Sequence, residues 1–339
     1  MNIAKKAFRG EVWTNVHPAL LQRMVEVNDE PVDGNTGDDR HSRRAAELMQ
    51  KHFRTPVSVT YALNGTGANI LALKGMLDPC STVLCAAQAH VNTYECGGLE
   101  YNVGAKILSI EAPDGKLTPG LLDTLLLRIR KYKYHPKVVV VTEPTEFGTL
   151  YTPEELKAVC DFAHGRDMLV YLDGARIGSA VAAFGTTLGA LVEGCGVDVF
   201  SFGGTKAGAM FGEMIVALRP ECARNMRYAQ KQSLQHLDKS KYLGVQMEYI
   251  LEHDLWLANG AKANEMARRL EQRLREKGVH IFYPVESNMV FCVMAPQTLS
   301  HVTETFDLHY WDEERHVVRL ATTYLTTMAE VETMASLLE

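Results

Sequence analysis

The chain has 339 residues, of which 46% are hydrophobic, so it can bury the core of one large domain with a smaller domain attached. Its formal net charge of −6 argues against a nucleic-acid or anionic-membrane partner, which would call for a broad positive surface. The start "MNIAKKAFRGEVW" has no apolar signal segment, and no later run reaches the ~18 apolar residues of a membrane span, so we expect a cytoplasmic protein. Seven scattered cysteines without a CxxC pair indicate neither a disulfide framework nor a metal site.

The first elements predicted after the N-terminal arm are two helices. After an irregular arm, Pro18 lies in the first turn of a helix in "HPALLQRMVEVND", and a second helix follows Ser42. Strand-like apolar runs then alternate with helix-like stretches such as 118–130 and 153–164. The strand-like runs are 57–63, 82–86, 105–110, 137–142, 168–172, 197–202 and 211–218. This alternation predicts an α/β fold with a mostly parallel central sheet and helices on both faces.

The C-terminal third has a different pattern. From about residue 220 the helical stretches become longer, and the longest one ends at Gly278. Two strand-like runs, 288–294 and 316–321, and a final helix predict a smaller α+β domain. We therefore expect an N-terminal arm and helix over residues 1–30, a large domain over 31–220, and connecting helices with the small domain over 221–339.

Lys206 lies in a glycine-rich loop, "SFGGTKAGAM", between two apolar runs. A solvated loop lysine usually has polar neighbours, whereas glycine and alanine here leave bare backbone that a ligand could approach closely. A reactive amine is therefore one interpretation of Lys206, and an ordinary surface lysine is the other.

A second glycine motif, "LNGTGAN" (63–69), lies where a strand ends and a helix begins. Backbone N–H groups and the helix dipole can hold a phosphate there. A dinucleotide-binding motif would need glycine where Ile70 stands, and a Walker motif fails at the other loop because Thr205 precedes Lys206. A simple helix N-cap remains the alternative for this motif.

Two further motifs follow strands. In "LVYLDGARIGSA", Asp173 ends a buried-type strand, so its carboxylate should lie in the crevice where open α/β sheets bind ligands, or should merely cap the next segment. Arg176 could bind a ligand or simply pair with Asp173. His90 follows another strand and could be structural or catalytic, and Glu95 beside it could be only a charge on a helix face.

Together these parts have one economical explanation. An amine for a Schiff base, a phosphate cradle, a carboxylate to hold a ring nitrogen and an imidazole to stack on a ring are what pyridoxal 5′-phosphate (PLP) requires. From about Phe8 to the C-terminus the chain resembles the aromatic amino-acid β-eliminating lyase/threonine aldolase family of fold-type I PLP enzymes, most closely the low-specificity L-threonine aldolases. The matching segments include "VHPALLQRM", "NGTGAN", "AHVNTYECGG", "TEFGTLYTPEEL", "LDGARIGSA", "SFGGTKAG" and "VVRLATT".

The resemblance implies a PLP-dependent aldolase that cleaves the Cα–Cβ bond of threonine, allo-threonine or a related β-hydroxy-α-amino acid into glycine and an aldehyde. It makes Lys206 the Schiff-base lysine, Asp173 the partner of the pyridinium nitrogen and His90 the ring-stacking imidazole. Arg176 and Arg319 would bind the substrate α-carboxylate. The residues expected to hold the cofactor are Gly65, Thr66, Gly67, His90, Asp173, Arg176, Thr205 and Lys206. The family also implies a homo-oligomer, a dimer or a tetramer.

The chain departs from the family pattern at several positions near the expected site. The arm has Gly10 and Glu11 where relatives usually carry Ser-Asp or Asn-Asp, so Gly10→Ser is expected to restore a contact to the substrate carboxylate. Thr36 replaces a tyrosine. In "TEFG", Glu146 replaces a histidine that contacts the β-hydroxyl, so either Glu146 or His90 would accept the β-hydroxyl proton.

Two alternative functions remain open from the sequence. A β-eliminating lyase would use Lys206 to abstract the α-proton, and it would release pyruvate and ammonia from a β-substituted amino acid. A non-catalytic relative would use the fold only for binding or assembly.

Overall fold

A computed structural model describes residues 6–35 and 37–338, so Thr36 lies outside the described residues. The strands are β1 (Lys6–Ala7), β2 (Ser58–Ala62), β3 (Thr82–Ala86), β4 (Lys106–Ile110), β5 (Pro136–Thr142), β6 (Leu169–Asp173), β7 (Val199–Gly203), β8 (Glu213–Ala217), β9 (Met289–Val293), β10 (Phe306–Asp307), β11 (His309–Asp312) and β12 (Val317–Ala321). The α-helices are α1 (Pro18–Glu26), α2 (Arg40–Gln50), α3 (Gly65–Met76), α4 (His90–Thr93), α5 (Gly98–Val103), α6 (Pro119–Ile129), α7 (Pro153–His164), α8 (Ile177–Phe184), α9 (Leu188–Val192), α10 (Pro220–Ala223), α11 (Met226–Gln232), α12 (Lys241–Glu252), α13 (Leu255–Glu276), α14 (Pro296–Thr305) and α15 (Met328–Ser336).

Seven strands form the central sheet in the order β2-β8-β7-β6-β5-β3-β4. The pairs from β7 through β6, β5 and β3 to β4 are parallel, whereas β8 runs antiparallel to both β7 and β2. Alternate side chains of β3 enter two different cores, because Leu84 packs in one hydrophobic cluster and Val83 in another. The predicted α/β fold, with a mostly parallel sheet and a core on each face, is confirmed.

The parallel strands place their carboxyl ends at one edge of the sheet. Asp173 is the last residue of β6, and it lies in register with Thr142, the last residue of β5. His90 begins a short helix just beyond the end of β3. Ligands bind outside the carboxyl ends of such strands, so this edge is where side chains from distant parts of the sequence converge.

Local signals explain where the helices begin. The capping box of Thr152 and Glu155 starts α7 at the predicted residue, Pro153. Helix α2 begins before the predicted Ser42, because the Asp39 carboxylate caps it by accepting the Ser42 N–H at 2.9 Å and the Ser42 hydroxyl at 2.7 Å.

The C-terminal residues form a small antiparallel sheet in the order β11-β12-β9. Strand β11 was not predicted, because its side chains are half-buried or exposed and give no apolar run. The N-terminal arm reaches this region through the parallel pair β1 and β10 and through a bridge between Arg9 and Ala321. None of the helices in residues 6–35 and 37–338 has the length and apolar character needed to cross a bilayer.

Candidate active site

A cavity of about 340 Å³ opens at the carboxyl edge of the central sheet. Every residue that the sequence assigned to catalysis, cofactor or substrate lines this cavity, with the exception of Gly67. The predicted residues that do line it are Gly65, Thr66, His90, Glu146, Asp173, Arg176, Thr205, Lys206 and Arg319. Their roles stay predictions, but the fold brings them to one place.

Lys206 is half-buried in the turn between β7 and β8. The turn is tight, because the N–H groups of Ala207 and Ala209 both donate to the Gly204 carbonyl at 3.0 Å. At Gly203 an added Cβ would lie 2.1 Å from the Ala175 carbonyl oxygen, so glycine allows this segment to pack against the loop after β6. Burial first, and then the charge of Arg176, lowers the pKa of Lys206. Both effects favour the neutral amine, which is the nucleophilic form.

Asp173 is buried, and both of its carboxylate oxygens accept hydrogen bonds. Asn69 Nδ2 donates to Oδ2 at 3.0 Å, and the Ala175 N–H donates to Oδ1 at 3.1 Å. Asn69 is itself oriented by the Tyr171 hydroxyl, which donates to Asn69 Oδ1 at 2.6 Å. These hydrogen bonds fix the position of the carboxylate, so it can pair with a cation in the cavity.

His90 is connected to the same network through Glu95. The His90 Nδ1 atom lies 2.8 Å from Glu95 Oε1, and Asn69 Nδ2 donates to that oxygen at 2.7 Å. The interpretation of Glu95 as a surface charge is wrong, because its side chain is 0% exposed. A hydrogen-bonded chain therefore runs from His90 through Glu95 and Asn69 to Asp173.

The two glycines of the motif at the start of α3 have different surroundings. The Asn64 side chain caps the helix by accepting the Gly67 N–H at 2.8 Å, so that donor already has a partner. A Cβ at Gly67 would lie 2.2 Å from Gln235 Oε1, so a larger residue here would displace the Gln235 amide, which accepts the Leu63 N–H at 3.0 Å. Gly65, by contrast, has no atom within 4 Å of an added Cβ, and it lines the cavity with Thr66.

Glu146 presents one carboxylate oxygen without a partner. Its Oε1 atom accepts the His90 N–H at 2.8 Å and the Thr142 hydroxyl at 3.0 Å. Its Oε2 atom is buried and has no hydrogen-bond partner among the described residues. Burial, and then the nearby Asp173, raises the pKa of Glu146. A carboxyl group in this setting is suited to accepting and returning a proton.

Arg176 is paired with a carboxylate of its own chain. Arg176 Nε lies 2.8 Å from Glu11 Oε1, and Arg176 Nη2 lies 3.0 Å from Glu11 Oε2. Asn288 Nδ2 also donates to Glu11 Oε1 at 2.7 Å. Although burial alone would raise the pKa of Glu11, Arg176 lowers it to about 2. The sequence placed Glu11 only as a departure from the family pattern and did not foresee this ion pair.

Arg319 is the second arginine expected to bind a carboxylate. It extends from β12, its Nη2 donates to the Arg9 carbonyl at 3.3 Å, and its buried Nε has no partner in the described part of the chain. Burial, and then the charge of Arg176, lowers the pKa of Arg319 to about 10. Its guanidinium is therefore an available anion-binding group.

Gly10 precedes Glu11 with φ at +126°, a region that favours glycine. A serine there would be strained, so the structure argues against Gly10→Ser as a way to restore a substrate contact.

Among the cavity-wall residues that the sequence did not single out are Asn69, Glu213 and Trp311. The first two carried a signal, because Asn69 lies inside the apolar segment "ANILAL" and Glu213 begins the apolar segment "EMIVAL".

Comparison with known proteins assigns the family. The family described as beta-eliminating lyase matches residues 8–297. The chain belongs to the beta-eliminating lyase family. Within it, a low specificity L-threonine aldolase of a Pseudomonas species is 37% identical over 302 residues, which cover 88% of this chain and 87% of the relative. The low specificity L-threonine aldolase of Pseudomonas aeruginosa is 35% identical, with 84% and 83% covered.

The fold of this beta-eliminating lyase family member also matches a solved structure. The threonine aldolase of Leishmania major superposes with a TM-score of 0.92 at 28% identity, over 98% of both chains. The resemblance drawn from the sequence motifs, including fold-type I, is therefore confirmed.

Proposed function

We propose that the chain is a PLP-dependent aldolase that cleaves L-threonine, L-allo-threonine or a related β-hydroxy-α-amino acid to glycine and an aldehyde. The convergence of Lys206, Asp173 and His90 on one cavity at the carboxyl edge of the sheet carries the proposal. The names of the Pseudomonas relatives, both low specificity L-threonine aldolases, support the choice of substrate class.

The residues present fit PLP. Lys206 offers an amine of lowered pKa, Asp173 offers a fixed carboxylate, and the open space at Gly65 at the start of α3 suits a phosphate. We therefore propose that Gly65, Thr66 and Thr205 hold the phosphate end, and that Gly67 acts through packing. When bound, PLP accepts the electron pair that is released as the Cα–Cβ bond breaks.

The chain's own residues then have distinct tasks. Asp173, held by Asn69 and the Ala175 N–H, would hold the nitrogen of the cofactor ring. His90 is oriented by Glu95 and would stack on the cofactor ring. Arg319 and Arg176 hold the substrate α-carboxylate, and these contacts orient the bond to be cleaved.

Glu146 is the proposed acceptor of the β-hydroxyl proton. Its Oε2 atom is buried and has no partner in the described part of the chain. His90, whose Nδ1 atom contacts Glu95, is expected to stack on the cofactor ring. Burial favours the neutral form of the carboxyl and so strengthens it as a proton acceptor, and the carboxylate is regenerated when the proton is given back. This assignment favours Glu146 over His90, which the sequence left as equal alternatives.

Product analysis with several amino acids tests the proposal. The purified protein with PLP is incubated separately with threonine, allo-threonine, phenylserine and serine. Glycine with the matching aldehyde is expected from the first three. Pyruvate and ammonia from serine, without glycine from the others, would instead establish the β-eliminating lyase, and no product with any amino acid would favour a non-catalytic relative.

We also propose a homo-oligomer, a dimer or a tetramer, in the cytoplasm. Val12 and Tyr94 line the cavity and yet are 61% and 51% exposed, so a second copy could cover them. Sedimentation of the purified protein at micromolar concentration tests this point, and a monomer would contradict it.

A further inference from the structure

Strand β11 contains a bulge at Trp311. Tyr310 pairs with Val318 and Asp312 pairs with Val317, so Trp311 is an extra residue without a partner of its own in the ladder. A bulge changes the direction in which a side chain points, and bulges are common next to active sites. Trp311 lines the main cavity, whereas the neighbouring Tyr310 is 47% exposed and is not part of the cavity wall.

The Trp311 ring is held by two aromatic neighbours. Its centroid lies 5.5 Å from that of Phe147 with an interplanar angle of 74°, and 5.1 Å from that of Phe291 with an angle of 85°. Both contacts are edge-to-face, a geometry that aromatic pairs prefer, and both phenylalanine side chains are buried. The indole therefore presents a fixed flat surface to the cavity, because turning it away would break both contacts.

Trp311 lies next to both points at which a substrate would be held. Phe147, which its ring contacts, directly follows Glu146, the proposed acceptor of the β-hydroxyl proton. Arg319, which with Arg176 would hold the α-carboxylate, lies on β12, the strand paired with β11. A substrate held at its carboxylate and its β-hydroxyl would place the remaining substituent of Cβ close to Trp311.

Few other parts of the wall suit an apolar substituent. The large apolar or aromatic side chains in it are those of Val12, Tyr94, Pro144 and Trp311. Val12 and Tyr94 are 61% and 51% exposed, whereas Pro144 is buried and lies two positions before Glu146. Trp311 and Pro144 are therefore the two walls against which an apolar group can be removed from water.

We infer that Trp311 determines specificity for the substituent on Cβ, so that the site prefers β-hydroxy-α-amino acids with a flat apolar substituent, such as phenyl, over those with a methyl group. The inference rests on the proposed function, because it concerns the substrate of the same site. A phenyl group can pack on the indole ring, and it removes more apolar area from water than a methyl group does.

Ligands without a β-hydroxyl separate binding from cleavage. L-phenylalanine and L-alanine differ only by the phenyl group, and their dissociation constants are measured by titrating the absorption spectrum of the PLP-loaded protein. The wild type should bind L-phenylalanine about tenfold more tightly than L-alanine, and Trp311→Ala should reduce this ratio about tenfold. Trp311→Phe keeps an aromatic ring and should keep most of the preference.

Tyr310→Ala is the matched control. It removes an aromatic ring from the adjacent position of the same strand and leaves the cavity wall unchanged, so it should keep the wild-type ratio. Equal affinities in the wild type, an unchanged ratio in Trp311→Ala, or an equal loss in Tyr310→Ala would overturn the inference.

Trp311→Leu provides the test if the alanine variant does not fold. Leucine fills space against Phe147 and Phe291 but lacks a flat ring, so the affinity for L-phenylalanine should fall while that for L-alanine is kept. Equal changes for the two ligands would overturn the inference.

Cleavage assays distinguish this inference from the proposed function. In Trp311→Ala the kcat/KM for phenylserine relative to that for threonine should fall about tenfold, in parallel with the binding ratio. If the wild type cleaves neither amino acid, the proposed function has failed, and the binding ratio still decides the role of Trp311. Wild-type cleavage together with a binding ratio that does not depend on Trp311 contradicts only that role.

Discussion

Lys206 is half-buried in the loop after β7, and its lowered pKa favours the nucleophilic neutral amine. We predict that Lys206→Ala abolishes cleavage and leaves the fold intact, because the change removes an amine from a loop and leaves the hydrophobic core unchanged. Product formation and the circular dichroism spectrum are measured together. Lys51→Ala, at an exposed position, is the matched control and should keep full activity.

Asp173→Asn tests the carboxylate at the end of β6. Loss of a charge-assisted hydrogen bond removes about 1.5–3 kcal/mol, and since each ~1.4 kcal/mol at the transition state corresponds to tenfold in rate, we expect roughly a ten- to hundredfold fall in kcat. Steady-state kinetics with saturating PLP measure this effect. A variant with wild-type kcat would show that Asp173 does not hold the ring nitrogen.

Glu146→Gln tests the proposed proton acceptor. The carboxyl must be ionised to accept the β-hydroxyl proton, and its pKa is raised above 4.5, so wild-type kcat should decline as the pH falls toward that raised value. The variant should lose about 10²–10⁴-fold in kcat, the usual contribution of general acid–base catalysis. The pH dependence of kcat is measured for both proteins, with PLP affinity as the control for site integrity. Full activity with an unaltered profile would assign the proton to another group, with His90 the first to examine.

At the scale of elements, the arm contributes stability through the ion pair of Glu11. The pKa of Glu11 is lowered from 4.5 to about 2, which corresponds to about 3 kcal/mol of folding free energy above pH 4.5. Because the folded-state pKa is the lower one, this stability is lost as the pH falls from 4.5 toward 2. We predict that the stability difference between wild type and Glu11→Gln shrinks by about 2 kcal/mol between pH 6 and pH 3. Urea unfolding at the two pH values measures it, and a difference independent of pH would contradict the ion pair.

The elements themselves were largely predictable because their periodicity is strong. Strand β3 was predicted with its observed bounds, and α7 was too, since its capping box and Pro153 mark the start. Strand β11 was not predicted, because its half-exposed side chains lack an apolar run. The antiparallel direction of β8 could not be predicted from the sequence either, because an apolar run does not show in which direction a buried strand runs.

At the scale of the whole molecule, the site could be predicted where its residues sit in local motifs. Lys206, Asp173 and His90 each lie at or beyond the carboxyl end of a strand of the same sheet, so the topology brings them together. The pair of Glu11 and Arg176 could not be predicted, because the two residues are 165 positions apart and meet only through the path of the arm. The motif likewise did not show that Gly67 lies against Gln235 and outside the cavity wall.

The central claim is that these converging residues direct PLP chemistry to the Cα–Cβ bond of a β-hydroxy amino acid. The most direct measurement is a carbon balance for L-threonine with the purified, PLP-loaded protein. We predict that glycine and acetaldehyde appear in equal amounts and account for all the threonine consumed. Formation of 2-oxobutanoate and ammonia, or no consumption of threonine at any protein concentration, would contradict the claim.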